Sequence, residues 1–143
     1  MPEFILKRPH WWPKGAPADN DLMDFACGYV EAMFFTNGDS GDDDEFSLNR
    51  LGAERLTAKS RASIIEECAK FLSRKARDVI AAAPGDFEQA GRDFWFTRQG
   101  HGTGFWDRDD DVWPEPARDY LGARAEEFGE ACVFCLRGWI YVE

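Results

Sequence analysis

Residues 93–108 read DFWFTRQGHGTGFWDR, two short aromatic blocks around a centre in which Gly100, Gly102 and Gly104 alternate with other residues. Bulky aromatic and β-branched side chains favour a pleated surface, and a glycine-rich connection of this length suits a hairpin. The pattern predicts antiparallel strands over 92–98 and 105–108. Side chains alternate along a strand, so Phe94, Phe96 and Arg98 share one face and Asp93, Trp95 and Thr97 the other. An aromatic sheet of this kind needs a covering layer, and the flanking sequence has to supply it as helices.

It does so three times. Asp19 or Asn20 caps a helix running to about residue 35, with Leu22, Phe25, Ala26, Tyr29 and Met33 as its apolar stripe. The longest helix spans about 57–83, lined by Ala62, Ile65, Cys68, Leu72, Ala76, Val79 and Ile80, and Pro84-Gly85 ends it. A third covers about 115–130 and buries Ala117, Leu121, Ala125 and Phe128. Segments 132–136 and 139–142, joined by Arg137-Gly138, form a second hairpin. Pro2, Pro9, Pro13 and Pro17 keep residues 1–20 irregular, and Trp11 and Trp12 within them should lie across the domain. The expected fold is one α+β domain over 1–143, three helices packed on a small antiparallel sheet of two hairpins.

Charge narrows the function classes. With 27 acidic and 17 basic residues the 143-residue chain carries −10, distributed as −5 over 1–60, +2 over 61–85 and −7 over 86–143. Such a field argues against direct binding to duplex DNA, whose phosphates need a basic surface. No apolar run approaches the roughly 20 residues of a membrane span, and the N-terminus lacks a signal-peptide core, so a cytoplasmic protein is expected. Its cysteines, Cys27, Cys68, Cys132 and Cys135, should then be reduced. Cys132 and Cys135 fall on a strand with opposite orientations, which suits buried thiols better than a metal pinch.

The chemistry-bearing residues are few. The glycine spacing fits neither a dinucleotide-binding fingerprint nor a Walker loop. His101 has the pKa range for acid–base work, with Asp93 or Asp107 to orient it, and this is the one enzyme reading available. Asp107, Asp109 and Asp111 have the first spacing of a calcium loop, but Val112 replaces the required Gly and Arg118 the terminal Glu. Hence no catalytic residue, metal or cofactor is assigned. Trp95 or Trp106, with Arg98 and Arg108 nearby, can stack bases of a single strand, against the repulsion of Asp107 and residues 109–111.

The same stretch resembles a family of small, uncharacterised proteins of bacteriophages and mobile elements, which share a run close to GHDFWLTRNGHGAGFWDR. Gly91, Asp93 to Trp95, Thr97, Arg98, Gly100 to Gly102 and Gly104 to Arg108 match it. Arg92 stands where the family usually has His, so a function resting on two histidines would have lost one. The resemblance extends loosely to 120–142 and faintly to the first helix. It implies a phage-type product acting inside a bacterial cell. Together with the charge, it leads to an accessory protein that binds a host protein or protein–nucleic-acid complex with a basic surface. Inhibition of a nucleic-acid-guided defence system by DNA mimicry is its sharpest form. The contact residues expected for this are Asp42, Asp43 and Asp44 in the acidic loop at 39–45, and Asp109, Asp110 and Asp111. Single-stranded nucleic-acid binding by the aromatic hairpin and a small His101 enzyme are the alternatives.

Overall fold

The computed structural model describes residues 11–37, 53–100 and 104–142. Among these residues five α-helices and one two-stranded antiparallel sheet make an α+β fold: α1 (Asn20–Asn37), α2 (Ala58–Phe71), α3 (Arg74–Ala82), α4 (Phe87–Gln99), α5 (Glu115–Glu126), β1 (Val133–Leu136) and β2 (Trp139–Val142). Short 3-10 turns at Ala53–Arg55 and Phe105–Asp107 link them. The expected three helices and two hairpins are corrected on both counts. Residues 92–98 are helix, and residues 105–107 form a 3-10 turn where a returning strand was expected.

The physical reason lies at the ends of α4. Asp86 accepts from the Gln89 amide at 2.8 Å as N-cap, and Gly100, at φ +69°, closes the helix with amide bonds to Phe96 and Thr97. Once capped, the aromatic block loses nothing by being helical, because neighbours cover α4 on most sides. Ala90, Gly91, Asp93, Phe94, Trp95, Thr97 and Arg98 are all buried. The long helix expected over 57–83 also divides. Ser73 accepts from the Ala76 amide at 3.2 Å and starts α3 as a fresh N-cap, leaving Leu72 outside both helices. The carbonyls freed at the break are taken by arginines: Arg124 donates to Lys70 and Phe71, and Arg77 to Leu72.

Among the described elements α1 and α4 form the most extensive contact, and two glycines make it possible. A Cβ at Gly28 would sit 2.0 Å from the Glu88 carbonyl oxygen, and one at Gly91 would sit 1.8 Å from that of Phe25. The two helices therefore meet backbone to backbone. Around this crossing lies an aromatic core in which Phe94 touches Phe25, Tyr29, Phe71 and Phe128, with the Phe71 ring stacked at 4.4 Å. Trp11 and Trp12 lie on this core, 4 % and 7 % exposed, as expected. The stripe of α1 is buried at every expected position, whereas Ala62 of α2 faces solvent, off the face that buries Ser60, Ile64, Cys68 and Phe71.

The second hairpin forms where it was expected, one residue shorter, with Phe134 opposite Tyr141 and Leu136 opposite Trp139. Its outer β2 edge is tied to the start of α2: Thr57 donates its amide to the Ile140 carbonyl at 3.1 Å, and the Val142 amide donates to Ser60 Oγ at 2.9 Å. Cys132 is exposed and Cys135 half-buried, which corrects the expectation of buried thiols; Cys68 alone among the four is fully enclosed. No described helix is long and apolar enough to cross a membrane.

Candidate functional site

Asp93 is the hub of the signature stretch, and it is fully buried. Its carboxylate accepts from Arg108 Nε at 3.0 Å and Nη2 at 2.8 Å, from Trp113 Nε1 at 2.7 Å and from Gln89 Nε2 at 3.1 Å. A carboxylate offers about four lone-pair positions, and here all are engaged. Hydrogen bonding and charge from the Asp93 carboxylate raise the Arg108 pKa, against the opposing effect of partial burial. This saturates one of the two carboxylates expected to orient His101; the other, Asp107, is exposed. The enzyme reading loses its buried carboxylate, and His101 itself lies outside the described residues.

Trp95 and Arg98 are equally committed. Trp95 is fully buried and donates to Thr36 Oγ1 at 2.9 Å. Arg98 donates to Glu67 at 2.6 Å, to the Tyr29 hydroxyl at 3.0 Å and to the carbonyls of Gly129 and Phe128 beyond α5. Burial pushes the Tyr29 phenol up, so it stays neutral and accepts from Arg98. Thr97 Oγ1 accepts the Phe105 amide at 3.1 Å, and a Cβ at Gly104 (φ +118°) would fall 2.2 Å from that oxygen. The motif therefore closes the segment after α4 back onto the helix. Neither Trp95 nor Arg98 is available to a nucleic acid, which takes both out of the stacking platform expected at 92–108 and leaves Trp106 as its exposed ring.

Two signature side chains remain outside this lock. Trp106 is 48 % exposed, its indole resting on Gly122 of α5, where an added Cβ would lie 2.4 Å from the ring. Asp107 beside it is exposed, as are Asp109, Asp110 and Asp111. Asp109 shapes the turn by accepting the Asp111 amide at 3.2 Å, and Arg118 approaches Asp110 at 3.4 Å. Arg118, which stands where a calcium loop would need its terminal Glu, is the cation beside this stretch. Asp42, Asp43 and Asp44 lie outside the described residues.

The sequence reading missed a second acidic surface. The α1–α4 crossing brings Asp21, Asp24 and Glu31 of α1 near Asp86 and Glu88 at the start of α4, 60 residues away in the chain. Partial burial raises the Asp24 pKa, and repulsion from Asp21 and Asp86 adds to it. Burial also raises Glu88; Arg92 opposes this, and Glu31, Asp86 and Asp24 reinforce it. Arg92 bridges the two helices, 2.8 Å from Glu31 and 3.4 Å from Glu88. Cys27 sits in the same field, and burial with Asp24, Glu88 and Glu31 lifts its thiol to about 11. The available signal was the Gly28 and Gly91 pair, each mid-helix, where a glycine at helical phase marks a close crossing.

Of the bases in 61–85, Lys70, Arg74 and Lys75 are exposed and Arg61 and Arg77 half-buried. Arg61 donates to the carbonyls of Leu56 and Glu54, Arg77 binds Asp19 at 2.9 Å, and Lys75 lies 4.6 Å from the Tyr120 ring centre. The Lys75–Tyr120 contact edges an apolar cleft of about 410 Å³ between α3 and α5, floored by alanine and proline. Among the described residues no three His, Cys, Asp or Glu side chains are grouped to hold a metal ion, and no buried side-chain nitrogen or oxygen lacks a partner. Compared with known proteins, the chain matches no family model, no curated protein and no solved structure.

Proposed function

We propose that this is a small acidic accessory protein of bacteriophage type, which acts inside the bacterial host by binding a partner with a basic surface. In its finest form the reading is inhibition of a nucleic-acid-guided defence complex, with carboxylates standing in for phosphates. One observation carries the binding reading: the signature stretch buries Asp93, Trp95 and Arg98, yet leaves Trp106 half-exposed among Asp107, Asp109, Asp110 and Asp111. A half-exposed tryptophan supplies an anchor for a guanidinium or ammonium group, and the surrounding carboxylates supply long-range steering. The resemblance to phage and mobile-element proteins supports the biological setting.

The test is affinity capture from host lysate, with and without nuclease, using the natural chain, a charge reversal at 109–111 and Trp106→Ala. A basic partner retained by the natural chain and lost from both variants is the expected result, with retention falling as salt rises. Equal retention by all three proteins would sink the reading.

A further inference from the structure

We propose that the outward face of the β1–β2 hairpin is a binding platform for single-stranded nucleic acid, a site separate from the acidic surface above. Val133, Cys135, Ile140 and Val142 turn toward the core, so the cross-strand pairs Phe134–Tyr141 and Leu136–Trp139 turn away from it. Phe134, Leu136 and Trp139 are 39 %, 51 % and 41 % exposed. The Phe134 and Tyr141 rings lie 5.0 Å apart and within 6° of parallel. The hairpin is tied along its β2 edge by the Thr57 and Ser60 bonds.

Charge selects the occupant. The guanidinium of Arg55 lies 5.1 Å from the Trp139 ring centre, and Arg137, the only charged residue in 131–142, stands exposed at the turn. The nearest acids along the chain are Glu143 directly after β2, Glu130 before the hairpin and Glu54 beside Arg55. In a protein of charge −10, exposed π-faces flanked by two guanidinium groups match a phosphate backbone with unstacked bases. They would repel the basic partner proposed for the other surface. A duplex hides its base faces and presents denser charge to an acidic protein, so a single strand fits better. A second copy of the chain fits poorly: the three side chains expose on the order of 300 Å², taking ~150–250 Å² for a whole aromatic side chain. A stable dimer buries about 800 Å² per partner.

The experiment is fluorescence anisotropy of a labelled oligothymidylate titrated with the full chain at low and at physiological salt. Saturable binding that weakens with salt is expected. Trp139→Ala should weaken it roughly tenfold or more, from the loss of one stacked base. Arg137→Glu, at a solvent-exposed turn that leaves the core untouched, should weaken it and flatten the salt dependence. Circular dichroism verifies that each variant is folded, and the Arg137 variant keeps the test decisive if Trp139→Ala is not. Charge reversal at 109–111 should leave oligonucleotide binding intact or improve it, which separates this site from the acidic one. No binding at low salt, or equal binding by both hairpin variants, would overturn the proposal. So would sedimentation showing a dimer that Trp139→Ala dissociates, since a second copy would then own the face.

Discussion

Residues 93–108 and 133–142 look alike as sequence, each pairing aromatic blocks across a glycine-containing centre, yet they fold in opposite ways. The second is a hairpin because Arg137 and Gly138 both adopt positive φ, at +54° and +81°, in a two-residue turn that matches strand twist. The first is a helix and a 3-10 turn because Asp86 caps its start and Gly100 its end. Local composition favours strand in both. Termination signals decided the outcome, and they also decided the role of the aromatics: the helix buries Phe94 and Trp95, and the hairpin displays Phe134 and Trp139.

Single substitutions can break this contrast at each end. Gly91→Ala should be among the largest effects: alanine gains about 1 kcal/mol of helix propensity, but its methyl meets the Phe25 carbonyl, and a net loss of about 3 kcal/mol or more is expected in urea unfolding. At Gly138, where nothing lies within 4 Å of the added methyl, alanine should cost only the backbone strain of about 1–2 kcal/mol. Asp93→Ala leaves Arg108 and Trp113 without their acceptor and should cost about 3–5 kcal/mol, with loss of near-ultraviolet dichroism. The matched pair Trp95→Ala and Trp139→Ala sharpens the comparison, with about 3–5 kcal/mol expected for the buried ring and about 1 kcal/mol for the displayed one.

Smaller effects concern pH. Burial alone would raise Asp19, but hydrogen bonds and charge from Arg77, with the Leu22 and Asp21 amides, hold its carboxyl below the usual 3.8. A depressed carboxyl contributes stability that is present above its unfolded pKa and is lost as pH falls through the folded one. Asp19→Asn should therefore cost about 1 kcal/mol at pH 7, after allowance for partial exposure, and nothing once both carboxyl forms are protonated. Urea midpoints of the two proteins should converge as the pH falls below that lowered folded value. Asp24 and Glu88 have raised values and act in the opposite sense, so Asp24→Asn should stabilise the fold at neutral pH by no more than about 0.5 kcal/mol.

Much of the scaffold was legible. Capping residues and apolar spacing located α1, α5 and the C-terminal hairpin within a few residues, because each element carries its own start and stop. The same kind of signal was present at Asp86, Gly100 and Ser73, where the aromatic block and the unbroken apolar spacing of 57–83 outweighed it. Asp109 to Asp111 and Trp106 are on the surface as their sequence suggests, but the burial of Asp93, Trp95 and Arg98 was not readable. Their partners, Trp113, Thr36, Tyr29 and Glu67, are brought to them by helix packing. The acidic α1–α4 surface was hidden for the same reason, since its members belong together only after the glycine crossing forms.

The arginines that grip carbonyl oxygens have one more consequence. Arg61, Arg77, Arg98, Arg118 and Arg124 each donate to main-chain oxygens across breaks or turns. A guanidinium keeps its proton throughout the physiological range, and a carbonyl has no proton to gain, so these struts do not titrate. The frame of the molecule is thereby mechanically insulated from its coat. An exposed acid that makes no bond to these arginines can therefore be replaced without releasing the main-chain oxygens they hold.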